Sequence, residues 1–114
     1  DESQATMTKI LTRDDGWVDW HKSADEIYNL FRGLTPWPGI WTMWAGQRLK
    51  LINILQNAKT LPSGNILYEN GELFIGCGEN SLKILSLQLE GKNRMEAKTF
   101  MNGNKTFASA RLAK

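Results

Sequence analysis

The sequence predicts a mainly β fold with flanking helices, in which five antiparallel strands close into a small barrel. Three observations predict it. The apolar period is helical over residues 24–34 and becomes two between residues 40 and 90. Glycine and asparagine punctuate that second stretch at short intervals. Two of its longer apolar runs change phase midway, as bent strands with bulges do when a sheet curls to closure.

The first helix starts at Ser23, where Ser23-Ala24-Asp25-Glu26 is a capping box: hydroxyl and carboxylate each satisfy an amide that the helix leaves open. Ala24, Ile27, Tyr28, Phe31 and Leu34 form its apolar stripe, and Pro36 ends it by forcing residue 35 out of helical geometry. Five strands follow, at IWTMWA (40–45), QRLKLINILQ (47–56), GNILYE (64–69), ELFIGCG (72–78) and SLKILSLQLE (81–90). Gly46 separates the first two, Asn70-Gly71 is a type I′ hairpin signal, and Gly78-Glu79-Asn80 makes a further tight connection. In the second strand Leu49 and Leu51 share one face and Ile52 and Ile54 take over the other. The fifth slips from Leu82 and Ile84 to Leu85, Leu87 and Leu89. A short helix over 96–103 presents Ala97, Phe100 and Met101 and stops at Gly103, after which NKTFASARLAK reads as loosely ordered. The sum is an OB-like barrel.

A chain of 114 residues suits one domain with one core. Residues 1–20 read as an interdomain linker and lead-in, and residues 21–114 as the barrel. The chain opens on Asp1 and DESQATMTK, which suits a piece of a larger protein. The lone Cys77 excludes an internal disulfide and suits a reducing, cytoplasmic setting. No run approaches the roughly 20 apolar residues of a membrane helix, so no membrane partner is expected.

The net charge of +2 is uninformative, but its distribution is not. Residues 1–30 carry seven acids against Lys9, Arg13 and Lys22, whereas residues 91–114 carry Lys92, Arg94, Lys98, Lys105, Arg111 and Lys114 against Glu96 alone. A polyanion fits the second stretch, as does a solvated polar tail.

Catalytic patterns are missing. His21 is the only histidine, so a two-histidine metal site is excluded, and no nucleophile context surrounds it. The glycines lack a phosphate-binding spacing, Asp14, Asp15 and Asp19 read as linker and turn acids, and Cys77 has no basic neighbour to activate it. No catalytic residue and no metal ligand is therefore assigned. RGLTPWPGIWTMW (32–44) holds three of the five tryptophans. They suit either a stacking platform or, the favoured reading, the core and the seam between helix and barrel.

ATMTKILTRDDGWVDW, ADEIYNLFRGLTPWPGIWTMWAGQRLKL and LQLEGKNRMEAKTFMNG together closely resemble the C-terminal domain of the methionyl-tRNA formyltransferase family, over residues 4–103. The markers are Ala5-Thr6, Asp19-Trp20, Asn29, Arg32-Gly33, Pro36-Trp37-Pro38-Gly39, Gln88, Glu90-Gly91-Lys92, Phe100 and Asn102-Gly103. The resemblance implies an enzyme of translation initiation that moves a formyl group from 10-formyltetrahydrofolate to methionine on initiator tRNA. In that family the folate site and the catalytic Asn, His and Asp belong to an N-terminal Rossmann-like domain, which this chain lacks. The fragment is therefore expected to be inactive alone, to hold no cofactor, and to work with methionyl-tRNA and its own catalytic domain as partners. Arg13 falls at a commonly basic linker place, with Lys9 its neighbour. Arg48, Lys50, Lys92, Arg94 and Lys98 are tRNA-binding candidates from charge and strand phase. Glu96 stands where relatives often carry a small hydroxyl cap, so the last helix is expected to start weakly. Related C-terminal domains occur in sugar N-formyltransferases and in the hydrolase portion of 10-formyltetrahydrofolate dehydrogenase, which is the alternative reading.

Overall fold

The computed structural model describes residues 16–34 and 39–112. Lys9, Arg13 and the Pro36-Trp37-Pro38 turn lie outside the described residues. Helix α1 (Ala24–Leu34) begins at the expected box: the Ser23 N–H donates to Glu26 Oε1 at 3.0 Å and the Glu26 N–H donates to Ser23 Oγ at 3.1 Å. Ala24, Ile27 and Leu34 are buried, and Tyr28 and Phe31 pack on the core's edge. The helix start is also tied to the sheet, through Ala24 N–H to Glu79 O and Gly78 N–H to Lys22 O. Gly78 has to be glycine there, because a Cβ would collide with the His21 carbonyl.

The hydrogen bonds at the box hold the Glu26 carboxyl below its ordinary pKa of 4.5, chiefly the one involving the Ser23 backbone. A depressed folded pKa contributes stability above the unfolded value, and that contribution is lost as pH falls through the folded value. Glu26→Gln is thus expected to flatten the acid limb, losing less urea stability than the parent between neutral pH and about pH 3. Equal losses would remove the box from the account.

Strands β1 (Ile40–Trp44), β2 (Gln47–Asn57), β3 (Ile66–Glu69), β4 (Glu72–Gly76) and β5 (Ser81–Leu89) match the five expected, in an antiparallel sheet of order β1-β2-β5-β4-β3. Ala45-Gly46 and Asn70-Gly71 have φ of 54°, 77°, 52° and 77°, the left-handed pairs that a two-residue hairpin requires. A two-residue strand β6 (Met95–Glu96), invisible to periodicity, pairs with β5 at Ser86 and Leu87.

Barrel closure is not seen. Among the described residues no ladder joins β1 to β3, so the sheet stays open. Each edge is blunted by a short segment instead: Val18 N–H donates to Trp41 O on β1, and Leu112 N–H donates to Gly64 O just before β3. The two phase shifts are real but turn differently from the expected change of face. The β2–β5 register breaks between Leu51 and Asn53 and again before Ile54, opposite Ser86. Ile54 thereby returns to the core already occupied by Leu49 and Leu51, and Leu87 returns to that of Leu82 and Ile84, while Leu85 is left exposed.

Helix α2 (Ala97–Gly103) has no side-chain cap at Glu96, as expected. It ends at Gly103, as expected, and Asn104 caps it, its Nδ2 donating to Phe100 O at 3.0 Å. The following residues are not loose. Lys105–Ser109 form a 3-10 helix that buries Phe107 completely, and Leu112 is buried as well. Phe107 sits edge-on to Trp44 and Phe100, with centroids 5.1 and 5.3 Å away. Trp20 is buried with its indole N–H donating to Thr42 Oγ1 at 3.0 Å.

Candidate nucleic-acid interface

Strand β2 sends Leu49 and Leu51 inward and Arg48 and Lys50 to the opposite face. The register places Lys50 between Trp41 of β1 and Gln88 of β5. Beyond β5 the chain turns at Gly91, whose φ of 80° favours glycine. That turn is held on both sides. Gln88 Nε2 donates to the Lys92 carbonyl at 2.9 Å, and Glu90 Oε1 accepts the Arg48 backbone N–H at 3.0 Å. Gln88, Glu90 and Gly91 thus build the loop that carries Lys92 and Arg94.

Between this turn and the β2 bulge lies an open cleft of about 370 Å³, lined by Gly39, Lys50, Ile52, Asn53, Gln88 and Arg94. Gly39 has φ +77°, and a Cβ there would stand 2.5 Å from Lys50 Cε, so the lysine stem lies where a side chain would be. Among the described residues no carboxylate lines the cleft, and neither Lys50 nor Arg94 is ion-paired. Lys83 and Lys59, by contrast, sit 2.7 Å from Glu72 and 3.8 Å from Glu69.

Of the seven candidates, Lys50 and Arg94 meet in this cleft, and exposed Lys92 stands on its rim-forming turn. Arg48 lies two pairs along β2 from Lys50, with its guanidinium 4.6 Å above the Trp41 ring. Trp17 stacks on Trp41 at 5.1 Å and 15°. Trp41 is 5% exposed, so this aromatic group is a seam and not an open stacking platform. Lys98 is exposed beside Gly71 of the β3–β4 hairpin and does not line the cleft. Asn53 and Gln88 are lining residues that charge-based reading missed. The phase shift in β2 was the available signal for Asn53, since bulges re-aim side chains.

A larger cleft of about 490 Å³ lies beside α1, lined by Trp17, Asp19, Lys22, Glu26, Asn29 and Leu30 among others. Two carboxylates against one lysine make it the wrong host for a polyanion. Its neighbour His21 is largely exposed and 3.2 Å from Asp19 Oδ1, a turn contact with no nucleophile attached. No cluster of three potential metal ligands occurs among the described residues, and none of their helices is long and apolar enough to cross a membrane. Burial pushes the Cys77 thiol up to about 12, so it stays protonated and inert at neutral pH. A thiol reagent at neutral pH is expected to label Cys77 only as fast as the chain unfolds; rapid labelling of the native protein would contradict its placement.

Residues 10–105 match the family model described as formyl transferase, C-terminal domain. Curated relatives include the methionyl-tRNA formyltransferases of Acidobacterium capsulatum, 46% identical, and Koribacter versatilis, 39% identical. Each alignment takes in 98% of this chain but only 37% and 36% of the relative, so the chain spans about a third of their length. Among solved structures, HypX from Aquifex aeolicus superposes with a TM-score of 0.70 over 90% of this chain and 19% of its own, at 13% identity. A HypX structure in complex with tetrahydrofolic acid gives 0.69 over 91% and 19%, again at 13%. At that identity the likeness is one of fold.

Proposed function

The chain belongs to the formyl transferase C-terminal domain family, and from that premise we propose that it is the tRNA-holding domain of a methionyl-tRNA formyltransferase. The observation that carries this reading is the cleft that Lys50 and Arg94 both line, with no acid among its described lining residues, beside the turn that carries Lys92. A phosphate backbone is the natural occupant of an open groove lined by two cations that have no ion-pair partner among the described residues. The domain's contribution to the reaction is then positional. Phosphate contacts on this face fix the tRNA while the rest of the protein, some two thirds of a relative's length, carries the folate co-substrate and the formyl transfer to methionine. No group on the described face has the chemistry of a nucleophile or a general base, and the chain alone is proposed to be inactive. Residues 1–20 are proposed to lead in from the catalytic domain, with Lys9 and Arg13 as tRNA contacts. The strand order and the bulge support an OB-like sheet, curled without closing. A cytoplasmic site of action accords with this role in translation initiation.

HypX supports the alternative only as far as fold goes. The relatives at 46% and 39% identity both carry the methionyl-tRNA formyltransferase name, which favours tRNA over a sugar acceptor.

The test is a titration of the chain with initiator tRNA at two salt concentrations. Weak binding at about 50 mM salt that falls by one to two orders of magnitude at about 200 mM is expected for a few phosphate contacts. Absence of binding at both would overturn the reading.

A further inference from the structure

Two cations account for a bound anion but not for the two amides that share their cleft. Gln88 donates an N–H to the Lys92 carbonyl, an acceptor only, so its own orientation is fixed and its Oε1 is left without a partner among the described residues. Asn53, set by the double register shift of the bulge, donates Nδ2 to Ser86 Oγ at 3.0 Å, and in that orientation its Oδ1 has no partner among the described residues. Both residues line the cleft with Lys50 and Arg94. An amide oxygen is of no use to a phosphate, which has no proton to give. The mixture of two cations and two acceptors instead matches a phosphate flanked by a hydroxyl donor. In a nucleic acid that pair is the phosphate and the 2′-hydroxyl of ribose.

We propose that this cleft is a ribose-phosphate subsite, in which Lys50 and Arg94 hold the phosphate and the amide oxygens of Gln88 and Asn53 share the one 2′-hydroxyl proton as acceptors. The proposal rests on the reading of the domain as a tRNA-holding module and adds a means of telling RNA from its 2′-substituted or deoxy counterparts. It also gives the β2 bulge a purpose beyond bending the strand: a regular strand would put residue 53 on the core face with Leu49 and Leu51, whereas the bulge exposes Asn53 and returns Ile54 to the core.

The test uses the whole chain, an RNA stem-loop of acceptor-stem length, and the same stem-loop with every 2′-hydroxyl replaced by fluorine. The replacement keeps the charge and the A-form pucker but removes the proton to be donated. The parent chain is expected to bind the hydroxyl form about three- to tenfold more tightly, the range of one net hydrogen bond. Asn53→Ala and Gln88→Ala are each expected to bring that ratio towards one by weakening the hydroxyl form. The ratio is insensitive to any loss of folded protein, because both RNAs meet the same preparation. Equal affinity of the parent chain for the two RNAs overturns the ribose subsite and leaves the tRNA reading standing, as does a ratio unchanged in both variants. Failure to bind either stem-loop overturns the ribose subsite, and failure to bind initiator tRNA as well overturns the tRNA reading with it.

Discussion

Phe107→Ala is expected to cost about 3–5 kcal/mol of folding stability, the range for truncating a fully buried phenylalanine. Phe107 is 0% exposed, and it closes a three-ring cluster with Trp44 from β1 and Phe100 from α2. Edge-to-face pairs of this kind add about 0.5–1.5 kcal/mol each beyond area burial. The cavity would open where strand, helix and 3-10 turn meet, three elements that cannot collapse together without moving the sheet edge at Gly64 and Leu112. For a domain of this size the loss is a large fraction of the total. Urea unfolding of the parent and the variant measures it, and a cost below about 0.5 kcal/mol, typical of a surface change, would mean that the segment after Gly103 is not part of the core.

Lys50→Glu combined with Arg94→Glu is expected to weaken tRNA binding about a hundredfold at low salt. Two attractive contacts are removed and two carboxylates are placed against phosphates, which costs several kcal/mol when like charges are brought together. The salt dependence is the finer readout. Each phosphate contact contributes about 0.7–0.9 to the slope of log affinity against log salt, so the variant's slope should be shallower by roughly 1.5. Both side chains line an open cleft and neither forms an ion pair among the described residues, so the fold should survive the exchange. An unchanged melting temperature alongside the lost affinity would separate binding from folding.

Much of this architecture was legible in the residues, and its gaps have physical causes. Local signals were read correctly because they are decided locally: Ser23 and Glu26 satisfy each other across one helical turn, and Asn70-Gly71 adopts the left-handed pair that its hairpin needs. The phase shifts at Leu51 and Ile84 were also visible. Their outcome was not, because a bulge inserts one residue and so restores the original face, as Ile54 and Leu87 show. The order of the 105–112 segment is not legible because Phe107 and Leu112 are single large apolar residues among small and polar ones, and it is tertiary partners, Trp44 and Phe100 for Phe107 and Gly64 for Leu112, that fix them. The site was half legible. Charge pointed to Lys50 and Arg94, but their meeting depends on Gln88 holding a turn and on Gly39 leaving room for a lysine stem, and neither contact is written in charge.

That the cleft face, and not general positive charge, holds the tRNA is tested most directly by one comparison. Initiator tRNA affinity is measured for the parent chain, for the Lys50→Glu/Arg94→Glu variant, and for a Lys105→Glu/Arg111→Glu variant that makes the same change in net charge outside the cleft lining, at exposed positions. The account predicts a loss of about a hundredfold for the cleft pair and less than about threefold for the other. Equal losses in the two variants would contradict it.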